Sequence, residues 1–263
     1  MEKSLFYDIV VRTTKSWQHM DFPGLYSTQN EMLEPMPVPA GQKILVLAPH
    51  PDDFDAIAVT LKLFQDQQAK IFLSVMCPAW SGVEEAFVNT DNPATRSALR
   101  EQEQRQSCRL FGLPDENVHF SHLLEDDDGN LVDLPENYQA VKKVLSAHRP
   151  DYVFMPHWND TNTDHRLAAW MLECAASELK LKLTAWFNLD PKTIDIKRQI
   201  HTVFDTPEAE WKGTLLRCHQ SQHQRNLSSR KNGFDERILA VNHTAGSKVN
   251  APFAEVFEVK DYL

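Results

Sequence analysis

The chain has 263 residues, 42% of them hydrophobic, and its 27 Lys and Arg face 37 Asp and Glu, a formal net charge of −10. That balance argues against a nucleic-acid surface, which needs a basic stripe to displace counterions from phosphates, and suits a small or neutral substrate instead. Cys77, Cys108, Cys174 and Cys218 are widely spaced with no CxxC pair, which suggests free thiols rather than a cysteine zinc site or a disulfide framework.

The first segment, MEKSLFYDIVVRTTKSWQHM, has scattered charges and no apolar stretch of signal-peptide length. No later segment approaches the roughly 18 apolar residues that span a bilayer, so the expectation is a cytoplasmic protein without an integral membrane segment. Nothing like a hinge composition divides the chain, and we read one domain over residues 1–263. Strands are expected at Lys43 to Ala48, Lys70 to Cys77, Val118 to Leu123, Tyr152 to Pro156, Leu181 to Phe187 and Phe253 to Val259. Between the second and third, Asn92 reads as a helix cap, Pro93 as the first helical residue and Gly112 as the stop. A second helix follows Asp164, with Leu167, Ala168, Met171, Leu172, Ala175 and Leu179 on one face. A third begins near Thr206 and Pro207 and turns Trp211, Leu215 and Leu216 inward. Strands alternating with helices predict an α/β fold with a mostly parallel sheet covered on both faces.

Two expected strands end in polar clusters, APHPDDFD after the first and MPHWNDTNTDHR after the fourth. Ligands of open α/β sheets bind beyond the carboxyl ends of the strands, so both clusters should lie at one edge of the sheet. His50, Asp53 and a histidine of the second cluster offer the three ligands of a hydrolytic zinc site, and Asp52 offers an adjacent carboxylate to take a proton. The competing reading is a polar turn, because an Asp after Pro is a common helix cap and acids suit a helix N-terminus.

PHPDD, PHWNDTNTDHRLAA and the later LLRCHQSQ together resemble the PIG-L/LmbE-like zinc-dependent N-deacetylases, which act on N-acetylglucosamine-containing substrates. That family's motifs are A-H-P-D-D-E, H-x-D-H and H-x-S-Q. The segments REQEQRQSCRLFGL and GSKVNAPFAEVFEV extend the resemblance from about Gly41 to Val259, leaving residues 1–40 as an N-terminal extension. The resemblance implies a Rossmann-like three-layer sandwich, Zn2+ on His50, Asp53 and His165, and Asp52 as general base. It also implies a small-molecule N-acetylated sugar or glycoconjugate as partner. Arg100 is an implied substrate contact, while Trp80 and Trp158, just past strand ends, could stack on a sugar face or equally serve in packing.

The chain departs from the family at two positions. Asn162 stands where the family has a histidine; an amide can donate to an oxyanion but cannot act as an acid. Leaving-group protonation is then assigned to His219 of HQSQ first and His157 second, with the proton returned by Asp52 as the alternative. Phe54 stands where the first motif has Glu, and Asp55 is one position too late to replace it, since one helical step turns a side chain by about 100°. Arg100 and Glu103 also read as a solvated ion pair, His219 and His223 as an i, i+4 pair, and EDDDGNLVD as a polar turn that lacks the Gly and Glu of a calcium loop. The expected activity is deacetylation of an amino-sugar. Hydrolysis of another small amide or ester, or sugar or partner binding without turnover, stands as the alternative, and self-association stays open.

Overall fold

A computed structural model describes residues 33–262. Its centre is strand β2 (Lys43–Ala48), whose Ile44–Ala48 are buried on both faces of the sheet. A continuous apolar run of that length is what a parallel strand covered by helices on both sides requires. β2 pairs in parallel with β3 (Lys70–Val75) on one side and β5 (Tyr152–Pro156) on the other. β4 (Val118–Phe120) continues beyond β3, and β6 (Leu183–Asn188) beyond β5, all parallel. The two polar clusters therefore leave adjacent parallel strands at the same end, as expected.

Past β6 the sheet changes character. β8 (Phe253–Tyr262) runs antiparallel between β6 and β7 (Ile200–Phe204), and β1 (Glu34–Pro35) pairs with β7 at the edge. The order is β1-β7-β8-β6-β5-β2-β3-β4, one mixed and mostly parallel sheet among the described residues. β1 lies in the expected N-terminal extension; residues 1–32 of that extension lie outside the described residues. The sequence reading contains neither β7 nor β1. β7 inverts the usual pattern: Thr202 is buried and Val203 exposed. The Thr202 hydroxyl is instead satisfied by Thr60, whose own hydroxyl donates to Glu255.

Alternate residues of the strands feed two cores. Ile44, Val46, Leu73 and Phe154 face α1 (Ala58–Asp66), α2 (Pro93–Phe111) and α5 (Thr206–Leu216). Leu45, Leu47, Val153 and Met155 face α3 (Pro135–His148) and α4 (Thr163–Leu179). The caps of α2 form as expected: Asn92 Oδ1 accepts from the Ala94 and Thr95 N–H groups, Pro93 opens the helix and Gly112 closes it at φ +90°. On α4, Leu167, Ala168, Met171, Leu172 and Ala175 are buried and Leu179 partly so. α5 opens on a capping box made by Asp205 and Glu208, and α6 (Gln220–Arg230) and α7 (Phe234–Gly246) follow it. Among the described residues no helix is long and apolar enough to cross a membrane.

Candidate active site

β2 delivers a turn whose atoms are held from several directions. The Asp53 carboxylate folds back to accept the His50 N–H at 2.8 Å. Asp52 follows at φ +104°, a region that L side chains avoid and that costs about 1–3 kcal/mol unless neighbours impose it. Those neighbours are one helical turn apart on α2. Gln104 Oε1 accepts the Asp52 N–H at 2.9 Å, and Arg100 Nη2 donates to Pro51 O at 2.5 Å and to Asp52 Oδ2 at 2.9 Å. A third contact runs from Arg100 Nη1 to Ala79 O. Arg100 is 2% exposed and lines the cleft.

β5 delivers the second cluster. Asp160 Oδ1 accepts the Asn162 N–H, and Asn162 in turn caps α4 through its side-chain oxygen on the Asp164 N–H. The cap commits the amide oxygen and leaves the NH2 group as a donor. His165, in the first turn of α4, places Nδ1 3.1 Å from Asp160 Oδ2 and 3.5 Å from Asp190 Oδ2. Its Nε2 faces Asp53 Oδ1 at 3.6 Å, is buried, and has no hydrogen-bond partner. Burial lowers the basicity of His165, but Asp53, Asp160 and Asp190 outweigh it and push the imidazole up to about 9. Burial raises the Asp190 carboxyl, with Asp160 and Asp53 adding to it against His165.

His50 has the same construction. Its Nε2 lies 2.8 Å from Asp164 Oδ2, and its Nδ1 lies 3.8 Å from Asp53. Asp164 is fixed by the Leu131 N–H, which enters from the turn after Asp126. That turn is the polar one expected: Asp126 Oδ1 accepts from the Asp128 and Asn130 N–H groups. The ligand atoms of His50, Asp53 and His165 lie within 4.8 Å of one another. Two imidazoles, each bonded at its far nitrogen to a carboxylate, and a third carboxylate between their near nitrogens form a donor set that could hold a metal ion, with outer support in place. The orphaned Nε2 of His165 fits a cation better than it fits a closed hydrogen-bond network. Asp52, Asn162 and these three residues share one cleft of about 240 Å3.

Other expected site residues lie elsewhere. His219 is fully buried with Nε2 2.6 Å from Asp55 Oδ2, behind the cleft wall, so it does not face a leaving amine. Burial alone would lower its pKa, but the hydrogen bond to Asp55 and the charge beside it leave it raised. Asp55 also accepts from Ser107 and Gln104, which makes it a structural carboxylate and not a displaced copy of the family's Glu. Phe54 fills the core beside Phe111, ring edge to face at 5.0 Å. His157 is 1% exposed; its Nδ1 accepts from the Asn159 N–H and its Nε2 donates to Glu258, so it too is withdrawn from the cleft.

Trp158 packs on His157 in the core beneath β5 and α4 and borders a separate small cavity with Tyr262. Trp80 is half-buried against Gly129, where its indole lies 2.7 Å from the place a Cβ would occupy, and it is not part of the cleft wall. Arg100 and Glu103 are not a solvated pair. Both are buried, and Glu103 accepts the Ser221 N–H and hydroxyl at the start of α6. His223 is engaged by Asp235. Asp160, Asp164 and Gln104 as supports, and Arg225, Arg230 and Arg237 as cleft residues, are not among the site residues expected from sequence. Asp160 and Asp164 were visible within the second cluster; the arginines carry no motif.

Residues 45–175 match the PIG-L family, described as GlcNAc-PI de-N-acetylase. No curated protein sequence matches the chain. The fold is that of N,N'-diacetylchitobiose deacetylase from Pyrococcus horikoshii, with 19% identity, a TM-score of 0.68, and 83% of this chain and 84% of the other covered. It is similar also to GalB, a 4-carboxy-2-hydroxymuconate hydratase from Pseudomonas putida KT2440, with 15% identity, a TM-score of 0.61 and coverage of 84% and 95%. The zinc-inhibited form of the teicoplanin deacetylase Orf2 aligns at 13% identity and a TM-score of 0.61 over 83% and 98% of the two chains. With its α/β sheet, its paired strand-end clusters and the match over residues 45–175, the chain belongs to the PIG-L/LmbE-like family.

Proposed function

We propose that the protein is a metal-dependent hydrolase, using Zn2+, that removes the acetyl group from an N-acetylated amino-sugar. The observation that carries this reading is the buried, partnerless His165 Nε2 facing Asp53 beside His50. His50, Asp53 and His165 would hold the ion, which when bound supplies Lewis-acid polarisation of the amide carbonyl and brings water to a pKa of about 7. The family match supports the deacetylase chemistry, and the deacetylases among the structural neighbours are consistent with an N-acetylated sugar.

Asp52 lines the cleft, and Arg100 holds its Oδ2, leaving Oδ1 as the atom that receives a proton from attacking water. As oxygen adds to the carbonyl carbon, the Asn162 NH2 group donates to the developing oxyanion. Asp52 then returns its proton to the nitrogen as the C–N bond breaks, giving acetate and the free amine. Of the expected proton donors this keeps the returned Asp52 proton and sets aside His219 and His157, which are buried in other bonds. Arg100 positions the base and does not clamp the sugar.

Metal content of the purified protein, measured with acetate release from a panel of N-acetylated sugars, tests the proposal. A near-stoichiometric metal with amide hydrolysis is expected. Less than about 0.1 equivalent, with no gain of activity on adding Zn2+, would count against it.

A further inference from the structure

We propose that α6 and α7 form an oxyanion-binding subsite, in which Arg225, Arg230 and Arg237 hold a phosphate or carboxylate borne by the substrate. The inference rests on the deacetylase reading for the amide and goes beyond it in assigning the substrate a negative charge.

In a chain of net charge −10, three arginines line the same cleft as the candidate metal ligands. Arg100, Arg109 and Arg217 each have a carboxylate partner, whereas Arg225, Arg230 and Arg237 form no ion pair with a described residue. For Arg230 and Arg237 the acceptor is neutral and shared. Asn226 Oδ1 accepts from Arg237 Nη1 at 2.6 Å and from Arg230 Nη1 at 3.3 Å. Asn226 is 4% exposed and anchored through its Nδ2 on Gln222 O, so it sets the direction of both guanidinium groups.

Arg225 approaches from the other side. Its Nη1 lies 3.2 Å, and Arg100 Nη1 2.9 Å, from the place where a Cβ on Gly82 would stand. A side chain at position 82 would fill the space these two guanidinium groups use. The three arginines also crowd one another. Partial desolvation, then Arg100 and Arg230, lower the pKa of Arg225 against the opposing Glu84 and Asp52; partial desolvation, then Arg230, lower that of Arg237 against Asp190. Arginine stays protonated in proteins, so the three positive charges persist at this wall, and a guanidinium fork matches the paired oxygens of a phosphate or carboxylate. Such a subsite would fix the charged end of the substrate while His50, Asp53, His165 and Asp52 meet the amide.

The test compares binding and turnover of N-acetylglucosamine, its 1- and 6-phosphates and N-acetylmuramic acid by the full chain. At least one charged sugar is expected to bind about tenfold more tightly than N-acetylglucosamine, because hydrogen bonds between ionised partners are roughly twice as strong as neutral ones. The phosphate and carboxylate arms identify which oxyanion is preferred. In Arg230→Gln with Arg237→Gln, and independently in Arg225→Gln, the charged-to-neutral affinity ratio should fall to about threefold or less, and it should fall with added NaCl in the wild type. Equal affinity for all four sugars, or a preference that survives the substitutions, overturns the subsite. The two readings fail separately: anion preference without acetate release sinks the deacetylase and leaves the subsite. Acetate release from neutral and charged sugars at equal kcat/KM does the reverse.

Discussion

On the β2–β5 side of the cleft, the residues proposed to react are held through partners already in place: Asp52 by Arg100 and Gln104, His50 by Asp164, His165 by Asp160. On the α6–α7 side, Arg225 and Arg230 are exposed, Arg237 half-buried, and one buried asparagine is the acceptor that two of them share. Fixed, desolvated geometry suits a site that must stabilise charge as it develops in a reaction. Unsatisfied cations at a cleft wall suit selection among ligands that arrive already charged. The two walls thus divide chemistry from choice, and substitutions can separate them.

The largest expected effect comes from His165→Ala, which removes the orphaned nitrogen and leaves Asp53, Asp160 and Asp190 close together without the imidazole between them. Metal content should fall below about a tenth of the wild-type value and acetate release should be lost, both measurable on one preparation. Metal retained at the wild-type level would move the site elsewhere. Next is Asp52→Asn, which keeps shape but cannot take a proton. A general base contributes roughly 10²–10⁴ in rate, so kcat should drop by that factor with metal content unchanged. A wild-type kcat would remove Asp52 from the mechanism.

Arg100→Lys probes how the fixed wall is kept in place. One ammonium cannot reproduce a planar fork that serves Pro51 O, Asp52 Oδ2 and Ala79 O together, so the backbone at Asp52 loses part of what imposes φ +104°. Outer supports of this kind are worth about 10–100-fold in activity, and the loss should lie in kcat and be small beside the loss in Asp52→Asn. In the double variant Arg100→Lys, Asp52→Asn the two losses should not add, because both act through one carboxylate. Additive losses, or a change confined to KM, would make Arg100 a substrate contact instead.

The α/β class, the caps of α2 and the turn after β2 were legible because each depends on residues close in sequence. Asn92, Pro93 and Gly112 carry helix ends in their own chemistry, and Ile44–Ala48 can be apolar throughout only if both faces are covered. Contacts made across the fold were not legible. Arg100 is 48 residues from Asp52, and His219 is 164 from Asp55, so neither partner follows from local pattern. β7 was hidden because its buried Thr202 is paid for by Thr60 and Glu255, far away in sequence. Phe54 looked like a lost functional carboxylate. It is the residue that closes the core beneath the turn against Phe111, and Phe54→Ala would cost about 3–5 kcal/mol of stability by the usual measure for a buried aromatic.

The smallest effect concerns Glu125, in the loop that buttresses the fixed wall. Burial raises its carboxyl to about 7, with Asp164 adding and the bond from the Ala79 N–H opposing. In the unfolded chain a glutamate titrates near 4.5. Between pH 4.5 and 7 the folded protein therefore holds a proton that the unfolded chain has released, and stability falls as pH rises through that window. Glu125→Gln keeps an oxygen for the Ala79 N–H and removes the titration. Its Tm should exceed that of the wild type at pH 8 and converge with it at pH 4, by an amount reduced because Glu125 is only half-buried. The same substitution should leave the charged-to-neutral sugar preference unchanged, since Glu125 is not among the residues that line the cleft with the arginines. A Tm difference independent of pH would mean that the substitution acts through packing of the loop and not through the titration that burial shifts.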